Sequence, residues 1–203
     1  MKRSELIRRL AAIPPFPIPR PEVEQVATPP EIAADLLFEA VRRDDLVGRH
    51  VLDLGCGTGI FAIGAALLGA EWVTGIEVDP VALGVARAAA VAAGVTVEWR
   101  KGDVADTTVD ADTVVMNPPF GAQRAHADRV FWDAALTHAR RAVYGFALTE
   151  SRTFIARRAV ARRARIEETQ PVAWRLPRTF GHHRRRAVEL AVDRWVLRIG
   201  EPP

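Results

Sequence analysis

The chain contains a single cysteine, Cys56, in 203 residues, which rules out an internal disulfide. With no Cys or His close to it in the sequence, Cys56 does not read as a zinc ligand, and a lone thiol points to a reducing, cytoplasmic setting. No stretch reaches the roughly 18 consecutive apolar residues of a membrane-spanning helix. The start, Met1 to Leu10, carries charges where a signal peptide needs an apolar run, so no membrane partner is expected. There is no internal repeat. Lysine is nearly missing too: almost every basic residue is arginine.

What is present suffices for one good core, since a chain of this length that is 49% hydrophobic suits a single α/β domain better than two small ones. Net charge is only +3, yet it is sorted along the chain. Residues 1–120 carry 11 basic and 17 acidic side chains, a balance of −6, and residues 121–203 carry 17 and 8, a balance of +9. Codon bias explains arginine replacing lysine but not this sorting. A clustered arginine surplus neutralises phosphates and steers polyanions, so a nucleic-acid partner is expected.

The motifs that carry chemistry begin with a strand, His50 to Leu54, running into the turn Gly55-Cys56-Gly57-Thr58-Gly59 and the helical run Ile60 to Gly69. Glycines at such a turn let backbone N–H groups approach a ligand at a helix N-terminus. The turn lacks the third, later glycine of a dinucleotide fingerprint, and Asp53 stands just before it. A carboxylate there can hold the amino group of a methionine-type ligand, directly or through water, which favours S-adenosylmethionine over NAD. The next strand, Trp72 to Glu77, ends in an acid about 20 residues past the glycines, where a carboxylate can accept both ribose hydroxyls. Asp79 reads as the N-cap of an Ala-rich helix starting at Pro80. A strand from Val95 to Arg100 precedes Asp103-Val104. Asp103 is either an acceptor for the cofactor's adenine amine or a solvated surface acid.

The apolar, β-branched run Asp112 to Met116 suggests a buried central strand with Asn117-Pro118-Pro119-Phe120 at its carboxyl end, the edge where open α/β sheets bind ligands. Each proline fixes its φ and removes an N–H, and Pro118 pushes Asn117 toward an extended conformation. An isolated Asn-Pro-Pro is ordinarily a turn. At a strand end beside a cofactor it becomes a stiff elbow presenting two acceptors, the Asn117 side-chain oxygen and the Pro118 carbonyl. An aromatic amine such as adenine N6 needs such acceptors, because delocalisation of its lone pair into the ring makes it a poor nucleophile. Phe120 can stack on the base and hold it in line with a methyl donor. Asn117, Pro118, Pro119 and Phe120 are therefore the candidate catalytic residues.

Upstream, residues 4–13 have helical spacing through Leu6, Leu10 and Ile13, and five prolines from Pro14 to Pro21 impose an extended strap. Residues 1–30 read as an arm rather than core, ahead of a domain over 31–203. Thr28 reads as the cap of a helix that starts with prolines and runs to about Arg42, while Gln25 has no capping duty. Downstream, Gly121 to Asp128 is a polar segment beside the reactive edge. Phe131 to Arg141 reads as a helix, Val143 to Leu148 as a strand and Glu150 to Arg165 as an Arg-studded helix. Two terminal strands, the last from Val188 to Ile199, flank a loop in which Phe180, His182, His183, Arg184, Arg185 and Arg186 combine stacking groups with positive charge, as a nucleic-acid site requires. No third ligand accompanies the two histidines, so no metal is expected. About seven strands alternate with helices, which predicts a doubly wound α/β fold, mostly parallel, with helices on both faces.

The order of glycine turn, Glu77, Asp103 and Asn-Pro-Pro-Phe resembles the Rossmann-like S-adenosylmethionine-dependent methyltransferases that act on amino nitrogens. More narrowly, Glu24-Gln25 with Thr28-Pro29, Asp53-Leu54-Gly55-Cys56-Gly57, Met116 to Gly121 and His183-Arg184-Arg185-Arg186 resemble the methyltransferase-like protein 5 family over roughly residues 22–199. The resemblance implies a ribosomal-RNA adenine N6-methyltransferase. It implies Gln25 and Thr28 as cofactor contacts rather than capping residues, Gly55, Thr58 and Ile60 as contacts from the glycine turn, Glu77 on the ribose, Asp103 and Val104 at the adenine, and Asn117 to Phe120 as the catalytic elbow. Val26-Ala27 replaces an aromatic-proline pair common in the family, and Thr58 stands where a cysteine can occur. The family's eukaryotic members also use a small zinc-binding activator protein that pairs with a sheet edge. With the usual strand order that edge is Val95 to Arg100, with Trp99 as an exposed aromatic. Two other readings stay open. One is a release-factor glutamine N5-methyltransferase, whose similar elbow usually ends in Tyr. The other is a non-catalytic RNA-binding module, against which intact Asp53, Glu77 and Asn117 argue.

Overall fold

A computed structural model of the chain describes residues 1–20, 24–121, 126–175 and 189–200. The strands are β1 (His50–Leu54), β2 (Trp72–Glu77), β3 (Glu98–Lys101), β4 (Ala111–Met116), β5 (Ala139–Leu148), β6 (Ala164–Arg175) and β7 (Glu189–Ile199), with β-branched residues densest in β2 and the central β4. Among the described residues they make one seven-stranded sheet, in the order β3-β2-β1-β4-β5-β7-β6. Neighbours from β3 to β5 are parallel, and β7 runs antiparallel between β5 and β6. This is the mostly parallel, doubly wound sheet expected from the alternation of elements.

Successive strand residues face opposite sides of a sheet. Accordingly Val51 of β1 joins one core and Leu52 the other. On the Val51 side lie α1 (Arg3–Leu10), α2 (Pro30–Arg42) and α3 (Ile60–Leu67), with α4 (Pro80–Ala93) packed beside α3. On the Leu52 side lie α5 (Asp128–His138) and α6 (Arg152–Ala161), where the rings of Trp132 and Trp195 meet edge-on at 6.2 Å. Among the described residues no helix is long and apolar enough to cross a membrane.

Several local expectations are corrected by tertiary contacts. The N-terminal helix is not part of an arm: Leu6 and Leu10, one helical turn apart, are buried in the core shared with α2 and α3. Each such burial stabilises by roughly 1.5–3 kcal/mol, which holds α1 against the sheet domain. Thr28 does not cap α2. The cap position is Pro29, with no side-chain cap hydrogen bond, and Pro30 at the first helical position has no N–H to satisfy. Helix α5 stops at His138, short of Arg141, because Ala139 pairs with Ala111 and opens β5. Helix α6 stops at Ala161 rather than Arg165. Arg163 there takes a left-handed φ of 56°, and Ala164 begins β6 opposite Ile199. In both places strand pairing overrides helical propensity.

The sheet edge also differs in detail. Strand β3 starts at Glu98 rather than Val95, and Trp99 is half-buried instead of exposed. Its ring fills the space above Gly59 and Gly75, lying 2.8 and 2.7 Å from where a Cβ on each would stand. The exposed aromatic near that edge is Trp72, at 56%.

The sorting of charge has a cause inside the fold. Arg198 on β7 donates to the buried Asp45 carboxylate at 2.5 and 2.7 Å, and the Tyr144 hydroxyl donates to it at 2.7 Å. Arg141 lies 3.6 Å from Asp45, and Arg140 lies 3.7 Å from Asp110. Acids from the first 120 residues thus meet arginines of β5 and β7, and part of the C-terminal surplus is neutralised internally.

Candidate active site

Between β1 and β4 the strand order reverses, and the carboxyl ends of β1, β2 and β4 open onto a cavity of about 600 Å³. Such switch points are where open α/β sheets bind ligands. The glycine turn after β1 forms one wall. Gly55 and Gly57 have φ of 68° and 54°, and a side chain on either would strike an aromatic ring: Phe131 at 2.7 Å or Phe16 at 2.8 Å. Only glycine satisfies both the backbone conformation and the close packing here.

Asp53 sits beneath this turn, 1% exposed. One of its oxygens accepts the Ala62 N–H at 2.9 Å, supplying the cap for α3 that Gly59 has no side chain to provide. The other, Oδ1, is buried and has no hydrogen-bond partner among the described residues. Burial pushes the Asp53 carboxyl up to about 8; the Ala62 bond opposes this and the charge of Glu77 adds to it. Glu77 closes β2 with each carboxylate oxygen held by a backbone N–H, that of Gly57 at 2.8 Å and that of Asp79 at 2.9 Å. Burial raises its pKa against those two bonds. Asp79 caps α4 as expected, accepting the Val81 N–H at 2.9 Å. Asp103 is exposed on the rim, with one oxygen accepting the Ala105 N–H at 2.9 Å, and Val104 beside it is buried.

Across the cavity, Asn117 follows β4. Its Nδ2 donates to Thr28 Oγ1 at 3.0 Å, while Oδ1 is buried and unpaired among the described residues. Pro119 lines the cavity and Pro118 is buried behind it. Phe120 lies outside the lining, edge-on to Trp174 at 5.5 Å, and Trp174 in turn meets Phe146 at 5.2 Å.

The structure therefore brings Gln25, Thr28, Gly55, Thr58, Ile60, Glu77, Asp103, Val104, Asn117 and Pro119 to one cavity. Asp53 lies just under it. The Gln25 side chain is engaged at both ends, donating to Asp79 and accepting from the Arg20 N–H. Phe180, His182, His183, Arg184, Arg185 and Arg186 lie outside the described residues. Sequence reasoning missed Phe16, Glu24 and Phe131. Phe16 carried a signal as the one aromatic in a strap whose prolines hold it extended, and Glu24 stood in the motif that carries the family resemblance without a role assigned to it.

A family model described as the methyltransferase small domain matches residues 27–144. The Drosophila melanogaster rRNA N(6)-adenosine-methyltransferase Mettl5 is 32% identical over 98% of this chain and 98% of its own length. For the Danio rerio rRNA N(6)-adenosine-methyltransferase METTL5 the identity is 31%, over 95% and 97%. The chain belongs to the methyltransferase-like protein 5 family. A solved structure from Pyrococcus horikoshii, of a proposed RNA methyltransferase, matches with a TM-score of 0.89 at 33% identity over 98% of both chains.

As a family member the protein is a methyltransferase whose methyl donor is S-adenosylmethionine, and the residues present fit that donor. A buried, partnerless carboxylate oxygen on Asp53 suits a cationic amino group, and the absence of side chains at Gly55 and Gly57 lets a ligand approach the backbone of the turn closely. The cavity is large enough for a nucleoside-sized ligand.

Proposed function

We propose that this methyltransferase acts on N6 of an adenosine in RNA, in the small-subunit ribosomal RNA. The observation that carries the reading is Asn117: a side-chain amide at the carboxyl end of β4, held through Nδ2 and with Oδ1 buried and unpaired beside the cavity. The names of the fly and fish relatives support the same substrate. When bound, S-adenosylmethionine would supply a sulfonium methyl: the N6 lone pair forms the new C–N bond as the C–S bond breaks with its electron pair left on sulfur, and the methylated nitrogen then gives up one of its two protons to solvent.

Asn117 Oδ1 accepts one N6 hydrogen and the Pro118 carbonyl the other, drawing the nitrogen toward the pyramidal form whose lone pair is available. Phe120, braced by Trp174, stacks on the base, which must leave its own stack to reach the elbow. On the donor side, Asp53 and the turn of Gly55, Thr58 and Ile60 hold the methionine end, and Glu77 holds the ribose. Asp103 and Val104 meet the adenine. Gln25 and Thr28 close the cavity from the N-terminal side. Phe180, His182, His183 and Arg184 to Arg186 contact RNA. The short β3 edge, with Trp72 exposed beside it, takes a small zinc-binding activator by strand addition. The lone buried Cys56 suits a cytoplasmic setting.

The test is methyl incorporation from labelled S-adenosylmethionine into small-subunit ribosomal RNA, followed by nucleoside mass spectrometry. Wild type should produce N6-methyladenosine, and Asn117→Ala should be about 10²–10³-fold slower, the scale for losing one preorganised polar group. Near-normal turnover in the variant, or label appearing in release factors and not in RNA, rejects the reading.

A further inference from the structure

The short segment 24–28 touches the catalytic elbow at both ends. The Gly121 N–H donates to Glu24 Oε2 at 2.9 Å, and Asn117 Nδ2 donates to Thr28 Oγ1 at 3.0 Å. Between these points Gln25 Nε2 donates to Asp79 Oδ2 at 2.6 Å, which ties the same segment to the loop after Glu77. Glu24 bends the chain here with a φ of 51°, a conformation unfavourable to any residue but glycine, so the bend is maintained by the contacts it makes. The resemblance to the family assigns Thr28 to the cofactor. Its observed partner is instead the amide at the reacting edge.

We propose that Thr28 is a positioning residue for methyl transfer, holding the plane of the Asn117 amide so that Oδ1 is set before the substrate arrives. The inference rests on the reading that Asn117 Oδ1 accepts a hydrogen from the methylated amine. The terminal torsion of asparagine is broad and weakly preferring. An amide left to rotate would have to be ordered in every catalytic cycle, and in half of its orientations it would present NH₂ to an amine that needs an acceptor. The hydrogen bond to the hydroxyl of Thr28, a residue only 7% exposed, removes that freedom. Glu24 acts at the other end of the elbow, fixing the backbone of Gly121 after the two prolines have stiffened what lies between.

The experiment compares wild type with Thr28→Val, which keeps the shape and deletes the hydroxyl, and Thr28→Ser, which keeps the hydroxyl. Single-turnover methylation of small-subunit ribosomal RNA should slow about tenfold in Thr28→Val, the scale for one lost hydrogen bond, while the Kd for S-adenosylmethionine stays within about twofold. Thr28→Ser should recover the rate to within about threefold. An unchanged rate in Thr28→Val overturns the proposal. So does a loss of cofactor affinity that accounts for the slower rate, which would make Thr28 a cofactor contact, or an equal loss in both variants, which would make its role one of packing. A second readout needs no substrate: the side-chain amide protons of Asn117, assigned by their disappearance in Asn117→Ala, should lose protection from exchange in Thr28→Val and keep it in Thr28→Ser. If wild type methylates no adenosine, the substrate reading fails, and this NMR comparison still decides whether Thr28 holds the amide.

Discussion

Asp53 offers a pH dependence whose sign and size follow from its surroundings. Its carboxyl is raised from 3.8 to about 8 by burial, so the folded chain binds that proton more tightly than the unfolded chain does. The Asp53 contribution to stability is therefore greatest near and below pH 4, where both states are protonated, and is lost as the pH climbs toward 8. At about 1.4 kcal/mol per unit the full shift is worth at most about 6 kcal/mol, and relaxation around the buried charge leaves a working figure of about 3 kcal/mol. In Asp53→Asn the group no longer titrates. The amide oxygen can still accept the Ala62 N–H, and an NH₂ replaces the unpaired Oδ1 at a cost of about 1–3 kcal/mol that is the same at every pH. The signature is thus a slope rather than an offset. In thermal melts without cofactor, Tm of the variant minus Tm of wild type should rise by about 6–12 °C from pH 4.5 to 8.5, at about 2–4 °C per kcal/mol for a chain of this size. Calorimetry should show wild type releasing a proton on binding S-adenosylmethionine near pH 7, because an ammonium beside Asp53 favours the carboxylate, and the variant binding weakly with no release. Parallel melting curves across this range would refute the assignment of a costly buried charge to Asp53.

Two further outcomes are expected. Replacing Arg184, Arg185 and Arg186 together by Ala should weaken RNA binding and flatten the plot of log affinity against log salt, by about 0.7 for each phosphate of a single strand that is no longer neutralised; an unchanged slope removes the run from the interface. Arg198→Met should destabilise the protein by about 3–5 kcal/mol in denaturant titrations at neutral pH by stranding the buried Asp45 charge. Asp45→Asn combined with Arg198→Met should recover much of that loss, and a double variant no more stable than the single one would place the cost elsewhere.

Elements and motifs whose logic is local were legible in the amino-acid order. A strand, a glycine turn and a helix are adjacent in the chain, so Asp53, Gly55 and Thr58 could be placed at a strand's carboxyl end from spacing alone. Alternating strands and helices leave few topologies, because parallel strands demand crossovers of one hand. That is why Glu77, Asp103 and Asn117, from separate units, could be expected at one edge, and the cavity does collect them there. Contacts between side chains far apart in sequence could not be read this way. Thr28 reaches Asn117 across 89 residues and Glu24 reaches Gly121 across 97. Arg198 finds Asp45 across 153 residues. Nothing in the local pattern distinguishes Thr28 as a helix cap from Thr28 as the partner of an amide, or a charged face from one half of a buried pair. Likewise the helical spacing of Leu6 and Leu10 announced an apolar stripe without saying what would cover it, and α2 and α3 were brought to that stripe by the closing of the sheet. The sequence by itself determined the elements, their faces and the edge where chemistry is gathered. Packing of the sheet decided which hydroxyl meets the amide, which ring lies on the glycine turn and which arginine reaches the buried Asp45, because those choices depend on distances that exist only once the strands are in their final order.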